Sequence, residues 1–539
     1  MQEIELKFLV PEYKVASLMR QAKIKSSTTF QLAAHYFDTP DNTLASSGMA
    51  LRIRKEGDAW VQTLKSNGDG MASRGEQNNV LSEDAAALAQ QQQLAPDLSV
   101  YKSIDLAGLI ANAQASSPAV NLTDGSAVST ANTLKIANEK LSCQYVTDIQ
   151  RTTRLIKKDN NIIEMAYDEG LIIHGKNPQI TQPIIELELE LLQGDVAFLF
   201  ETAKIWCKRY QLCLSTVTKA ERGGLLVANK DHTDATKANL KNLAVSKKMS
   251  QPQFLRAVVH NCMLQILPNV SAIASSNYDE SHVHQLRVGI RRLRTALTAF
   301  ASFSSQINPE WIPILKQTFS LLGEYRDYQL LQSQTQPKLK SMGGPVVNWQ
   351  QPADNCGAKR IIEPIAAIRA NDFQLTLLEL IEFTMSSAKK DNPLNKKNKA
   401  ATKQDKAKNK TSLKQECSLI LDTLYNKIVK ASTQFATLDI DSQHKLRKRL
   451  KSLRYLTEFV APLYKKKQVK VFLSSIAPMQ DLLGNYNDDL VAHDFYQAKT
   501  KEDAKAWFAV GYFTAQNPHS MQACANSLQA LQQLPVFWK

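Results

Sequence analysis

The chain opens on an alternation. In Glu3-Ile4-Glu5-Leu6-Lys7-Phe8, charged and apolar side chains exchange at every step. Period two predicts a strand with Glu3, Glu5 and Lys7 on one face and Ile4, Leu6 and Phe8 on the other. A helix is expected over 11–23. Strands follow at 35–38, 50–55, 60–65 and from 74 onward, with turns at Thr39-Pro40-Asp41-Asn42 and Gly57-Asp58. Arg52 and Arg54 share a strand face, and Lys65 ends the next strand. Residues 83–140 are Ala- and Gln-rich and read as helix and loop outside the sheet. Strand patterning resumes over 145–151 and 161–168, with a turn at Gly170. Residues 184–192 repeat the opening pattern, with Glu186, Glu188 and Glu190 on one face. An amphipathic helix over 196–209 and the stretch 215–223 close this half.

Beyond 227 the pattern changes. Residues 228–250 are polar and Lys-rich without a sustained period and read as a linker. From 251 the periodicity is helical almost to the end. Two stretches, 284–294 and 444–454, align without a gap at an offset of 160 residues. Each is followed by a matching element, Leu322-Gly323-Glu324-Tyr325-Arg326-Asp327 and Leu483-Gly484-Asn485-Tyr486-Asn487-Asp488. This is an internal duplication, with repeat one over about 251–385 and repeat two over about 415–539. On a helix, His284, Arg287, Arg291 and Arg294 form one stripe, and His444, Arg447, Lys451 and Arg454 repeat it. Leu286, Ile290, Leu293 and Leu297 form the apolar stripe that docks the first of these helices. Between the repeats, 389–414 holds ten Lys and two Asp with few apolar residues. It reads as part of a disordered insertion over 386–414.

Composition bounds the picture. A chain of 539 residues exceeds one ordinary core, so two or more domains are expected. The net charge of +15 favours a polyanionic partner. The seven Cys are scattered, with neither CxxC pairs nor zinc spacing, and read as reduced buried thiols. No segment reaches about 18 uninterrupted apolar residues, and a cytoplasmic protein without a membrane partner is expected. There is no GxxxxGK[ST] loop, so P-loop chemistry is excluded. The stripe lacks interleaved aromatics, which argues against a specific nucleic-acid partner.

Many strands with one charged face suggest a closed barrel with a charge-lined lumen. Acidic and basic residues sharing a lumen call for a ligand, and a polyphosphate with a divalent metal is their complement. Carboxylates hold Mg²⁺ or Mn²⁺, and Lys and Arg orient phosphates.

Glu3-x-Glu5-x-Lys7, Arg52-x-Arg54, Lys65, Glu186-x-Glu188-x-Glu190 and Thr218-Lys219 resemble the CYTH domain, the triphosphate tunnel metalloenzyme superfamily, over 1–227. The resemblance implies an α+β chain beginning with an eight-stranded antiparallel β tunnel. It implies Glu3, Glu5, Glu186 and Glu188 on the metal side, with Glu190 a third ligand or a rim residue. It implies Lys7, Arg52, Arg54, Lys65, Arg151 and Lys219 as triphosphate ligands. Glu5, Glu164, Asp168 and Glu188 are the expected catalytic carboxylates. Arg74 and Glu76 are further tunnel positions, and Arg154, out of phase with Arg151, is expected outside. The His-plus-basic stripes resemble the CHAD domain over 251–539. That resemblance implies an all-α bundle with an internal pseudo-twofold, binding inorganic polyphosphate through both stripes. Lys451 departs from the Arg of the first repeat. The expected activity is metal-dependent hydrolysis of inorganic triphosphate. The alternatives are a class IV type adenylate cyclase or other organic triphosphate hydrolase, and a non-catalytic polyphosphate binder.

Overall fold

The computed structural model describes residues 2–66, 72–91, 93–101, 138–347, 361–387, 391 and 412–539. The chain divides into two compact units. The first holds Met1–Thr236 with Leu267–His282 and Ile368–Glu382. The second holds Lys237–Ile266, Val283–Ala367 and Phe383–Lys539.

The first unit is built on nine antiparallel strands: β1 (Gln2–Leu9), β2 (Thr28–Asp38), β3 (Met49–Glu56), β4 (Ala59–Ser66), β5 (Ser73–Val80), β6 (Ser142–Lys158), β7 (Asn161–His174), β8 (Thr181–Gln193) and β9 (Cys213–Ser215). Along one edge, β1 pairs with β8. Its opposite edge pairs first with β5 and then with the short β9. Strands β1–β8 therefore close into the expected eight-stranded ring, in the order β1-β5-β4-β3-β2-β6-β7-β8, and β9 is an addition to it.

The expected alternation sorts the two faces. Leu6 and Phe8 are buried on the apolar face of β1. Leu51, Ile53 and Leu64, out of phase with Arg52, Arg54 and Lys65, pack with Phe37, Leu44, Leu98 and Tyr101. Helix α1 (Glu12–Ala22) and helix α2 (Val196–Tyr210) also belong to this unit. Arg154 lies out of phase with Arg151, as expected. Its guanidinium bonds Gln21 O at 2.6 Å and sits 5.6 Å from the Trp206 ring centre.

Gly170 is not a turn. It lies within β7, opposite Ile149 and Ile184. A Cβ there would stand 2.2 Å from Asp148 O, so the backbones approach too closely for any side chain. Of the stretch 83–140, Glu83–Gln90 is helical, and 102–137 lies outside the described residues.

The C-terminal half is helical: α4 (Gln251–Ala274), α5 (Glu280–Ala299), α6 (Trp311–Leu330), α7 (Asn371–Met385), α8 (Leu413–Ser432), α9 (Ile440–Val460), α10 (Lys466–Lys499) and α11 (Ala506–Gln529). Leu286, Ile290, Leu293 and Leu297 on α5 are fully buried, as their stripe requires. By length and composition α4 could cross a membrane, but 78% of that stretch is buried. It is a core helix. The Lys-rich insertion lies mostly outside the described residues, and α8 already begins at Leu413. Asp391 is described: it accepts bonds from Arg256, Ser304 and Ser305. Six of the seven Cys are described, all as free thiols, and Cys356 lies outside the described residues.

Candidate active site

Residues directly opposite each other in an antiparallel ladder share a face. Register therefore assembles the lumen. Lys7 opposes Glu188, Glu5 opposes Glu190, and Glu190 opposes Glu164. Glu186 opposes Asp168, which opposes Arg151. Arg52 opposes Tyr36 and Thr63, and Lys65 opposes Glu76. Glu3 pairs in register with Arg74. Strands β3 and β8 are four places apart either way round the ring. Arg52 and Arg54 thus stand across the lumen from Glu186, Glu188 and Glu190.

One level of the lumen is a dense ion-pair cluster. Asp168, fully buried, accepts from Arg151 through Nε and Nη2, each at 2.6 Å. Arg151 Nη2 also reaches Glu188 Oε2 at 2.6 Å. The Lys219 ammonium lies 2.8 Å from Asp168, 3.0 Å from Glu186 and 2.7 Å from Glu188. Arg222 closes the set on Glu186 Oε1 at 2.9 Å. Three cations balance three carboxylates. Burial opposes the charge on Glu186, but Lys219, Lys7 and Arg222 outweigh it and hold the carboxyl at about 2. Burial likewise opposes ionisation of Glu188, and Lys219, Arg151 and Lys7 bring it well below the carboxylate range. Desolvation works against the Lys219 ammonium, yet Asp168, Glu186 and Glu188 raise its pKa well above the ordinary value.

A second basic level lies on β3 and β4. Glu76 pairs with Lys65 at 2.7 Å and with Arg52 at 3.5 Å. Desolvation and the neighbouring Arg52 lower Arg54, against the pull of Glu56. Burial disfavours Tyr36 ionisation, but Arg52, Lys65 and Lys219 together bring its phenol below the usual value.

One end of the lumen is apolar. Leu32, Ala34, Tyr36, Tyr145, Ile149, Ile172 and Ile184 cluster there, with Ala220, Leu226 and Val227 packed on them. The last three come from helix α3 (Lys219–Val227). Thr218 caps this helix through a capping box with Glu221, at 2.9 and 2.7 Å. A Cβ on Gly223 would fall 2.2 Å from the Tyr145 ring, so only glycine lets the helix seat there. Lys219 occupies the first turn, where the helix dipole disfavours a cation. Its three carboxylates overcome that.

In the second unit, the two basic stripes meet. Lys451 is held down to about 7 by desolvation, then by Arg447 and Arg291, with Arg287 adding to them against Asp488. Desolvation, then Arg326, Arg287, Arg291 and Lys451, lowers His284. Arg287, Arg291 and Arg294 all lie within 5.7 Å of the Phe319 ring centre. The duplication is visible in the pairs: Arg287 to Asp327 is 3.7 Å and Arg447 to Asp488 is 3.8 Å. His444 Nδ1 is 2.8 Å from Asn487 Oδ1. Arg454 pairs with Glu458 at 3.0 Å and is half exposed.

The family models match in two consecutive blocks. The model described as CYTH domain covers 1–223, and that described as CHAD domain covers 257–497. The chain carries a CYTH domain followed by a CHAD domain. Among curated relatives, an inorganic triphosphatase from Haemophilus influenzae is 32% identical over 240 residues, 43% of this chain. The match spans 57% of that relative's length. The solved CHAD domain from the plant Ricinus communis is 23% identical, with a TM-score of 0.41, covering 57% of this chain and 100% of that one. A Hippeastrum protein described as having a dominant triphosphatase activity is 15% identical, with a TM-score of 0.25, covering 42% of this chain and 96% of that one.

In the CYTH domain, register gathers Glu5, Lys7, Arg52, Lys65, Arg151, Glu164, Asp168, Glu186 and Glu188 on one face. Glu186 and Glu188 meet Lys and Arg there. Arg222 escaped the sequence reading, although the Thr218…Glu221 box marks the start of its helix. In the CHAD domain, Arg326, Lys448 and Lys316 were missed, and they surround the predicted stripes.

The Glu186 shift fixes a pH dependence. Its folded value is about 2 against an ordinary 4.5. A depressed carboxyl adds stability that is complete above the ordinary value and is lost as pH falls through the folded one. The acid limb of CYTH-domain stability should therefore fall between about pH 4.5 and 2, by about 3 kcal/mol from this residue. Denaturant melts across that range should show a flatter limb for Glu186→Gln than for wild type.

Proposed function

We propose that the CYTH tunnel hydrolyses inorganic triphosphate to diphosphate and phosphate with Mg²⁺ or Mn²⁺, and that the CHAD domain binds inorganic polyphosphate. The observation that carries the reading is the opposition of Arg52 and Arg54 on β3 to the β8 carboxylates across a closed ring. A linear polyanion with a bound cation matches such a lumen in both signs.

The donor set fits a hard cation. Glu5 and Glu164 flank Glu190 on the two neighbouring strands. Like charges directly opposite are destabilising, and oxygen donors of this kind suit Mg²⁺ or Mn²⁺. When bound, the ion neutralises phosphate charge and polarises the phosphoryl oxygen. The chain's own residues do the rest. Arg52, Arg54 and Lys65 bond the phosphate oxygens from β3 and β4. Arg151 and Lys219 present charge while anchored by Asp168, and Lys7 joins them from β1. Asp168 thus acts by positioning cations. Glu164 opposes Leu155 on β6 and Glu190 on β8. With no basic residue directly opposite it on either strand, it is the carboxylate we assign to accept a proton from the attacking water. The water oxygen bonds the terminal phosphorus as the bridging P–O bond breaks, and diphosphate leaves. Charge stabilisation by fixed groups supplies most of the acceleration.

A phosphate-release panel tests the reading with triphosphate, long-chain polyphosphate, ATP and thiamine triphosphate. Triphosphate should be the fastest substrate. A chelator should bring release to background, and Mg²⁺ or Mn²⁺ should restore it. Cyclic AMP formed from ATP would instead identify a cyclase.

Lys451 gives the CHAD reading its own prediction. A polyanion seated against it raises its pKa from about 7. Binding then takes up a proton above pH 7, so polyphosphate affinity should fall as pH rises from 7 to 9. Lys451→Arg keeps its charge and should flatten that dependence. Calorimetry in buffers of different ionisation enthalpy reads the proton count directly.

A further inference from the structure

A side-chain cluster in the first unit brings imidazole nitrogen together with a carboxylate, and its His232 lines a pocket shared with Glu186 and Arg222. His232, Asp279 and His282 each offer a ligand atom, and these atoms lie within 4.8 Å of one another. His282 is 1% exposed. Its Nδ1 is 2.8 Å from Asp279 Oδ1. The Asp279 backbone N–H also points to Nδ1, at 3.1 Å, so Asp279 engages that nitrogen and leaves Nε2 as the open one. His282 Nε2 is buried and has no hydrogen-bond partner among the described residues. An orphaned buried polar atom is costly and calls for an explanation.

His232 supplies one. Its ring centre is 5.1 Å from that of His282, at 84°. Two imidazoles sharing a tetrahedral ion at ordinary Zn–N lengths have centres about 5 Å apart. His232 Nδ1 faces Thr233 O at 3.0 Å, which leaves Nε2 as its ligand atom. A carboxylate on the far nitrogen of a ligating histidine is the usual orienting partner at metal sites.

We propose that His232 and His282, with Asp279 orienting the His282 ring, bind a borderline divalent cation of the Zn²⁺ class. Imidazole nitrogen selects Zn²⁺ and Co²⁺ over Mg²⁺, whereas the tunnel offers oxygen alone. The two classes of site therefore separate by metal. Occupancy would tie the 231–233 segment to the start of α5 within the first unit. The site adds to the tunnel reading and does not depend on it.

The test uses the full, untagged chain in millimolar Mg²⁺, which fills oxygen-donor sites. Zn²⁺ titrated by calorimetry should show one tight site per chain. Co²⁺ in its place should give the visible bands of a nitrogen-ligated, low-coordinate ion. His232→Ala, at a half-buried position, should weaken Zn²⁺ at least tenfold and remove the Zn²⁺-induced rise in melting temperature. Asp279→Asn should weaken it by about 10–100-fold. Equal Zn²⁺ affinity in wild type and His232→Ala, or no Zn²⁺ binding by wild type, would overturn the proposal. Since His282 is buried, no outcome relies on its replacement.

Discussion

Glu5→Gln is expected to lower triphosphate hydrolysis by about 10²–10³-fold, the scale of losing one fixed charge-stabilising group, while the protein stays folded. The substitution keeps side-chain volume and the β1–β8 ladder. What it removes is one of three carboxylates, Glu5, Glu190 and Glu164, that follow one another across β1, β8 and β7. Removing Glu5's charge relieves repulsion along that row and gives up its attraction to Arg151, so the melting temperature should change little. Weaker cation retention should also move half-maximal activation to higher Mg²⁺. Rates over a Mg²⁺ series, with thermal melts of both proteins, separate the two effects. An unchanged rate with an unchanged Mg²⁺ profile would make the tunnel a binding device and sink the hydrolytic reading.

The sequence carried faces better than partners. Period two in β1, β3 and β8 was legible because charge and apolar side chains alternate cleanly there. The first half of β2 was not, since Thr28-Thr29-Phe30-Gln31-Leu32-Ala33-Ala34 alternates weakly. Gly170 reads as a turn in any single strand, and only the close β6 backbone explains it. The charged face of β8 was visible, but not that Lys219, Arg222 and Arg151 neutralise two of its three carboxylates. Those cations come from another strand and from a helix folded back on the lumen. Local pattern carries no record of such contacts. The apolar filling at one end of the lumen was missed for the same reason: Tyr36, Tyr145 and Ile184 belong to strands far apart in sequence. In the helical half the repeat offset revealed the stripes, because duplication is a property of sequence alone. Glu458, four residues after Arg454, was the local signal that this last stripe position has its own partner.

Lys219→Met should have the largest effect on the CYTH domain, because one ammonium serves three buried or half-buried carboxylates within 3.0 Å. Breaking a buried pair by removing one partner costs about 3–5 kcal/mol, since the other charge stays buried. Arg151 and Arg222 retain bonds to the same carboxylates, which keeps the loss within that range. Activity should fall further than stability explains, because the lumen changes from balanced to acidic where phosphate must enter. The double variant Lys219→Met with Glu186→Gln separates the two causes. Glu186 is as fully buried as Asp168, so neutralising it removes one of the two most desolvated charges of the cluster. Denaturant melts should recover much of the lost stability in the double variant, while triphosphate hydrolysis stays low. If hydrolysis returned together with stability, Lys219 would matter to the fold alone, and the phosphate would have to be held by the β3 and β4 cations without it.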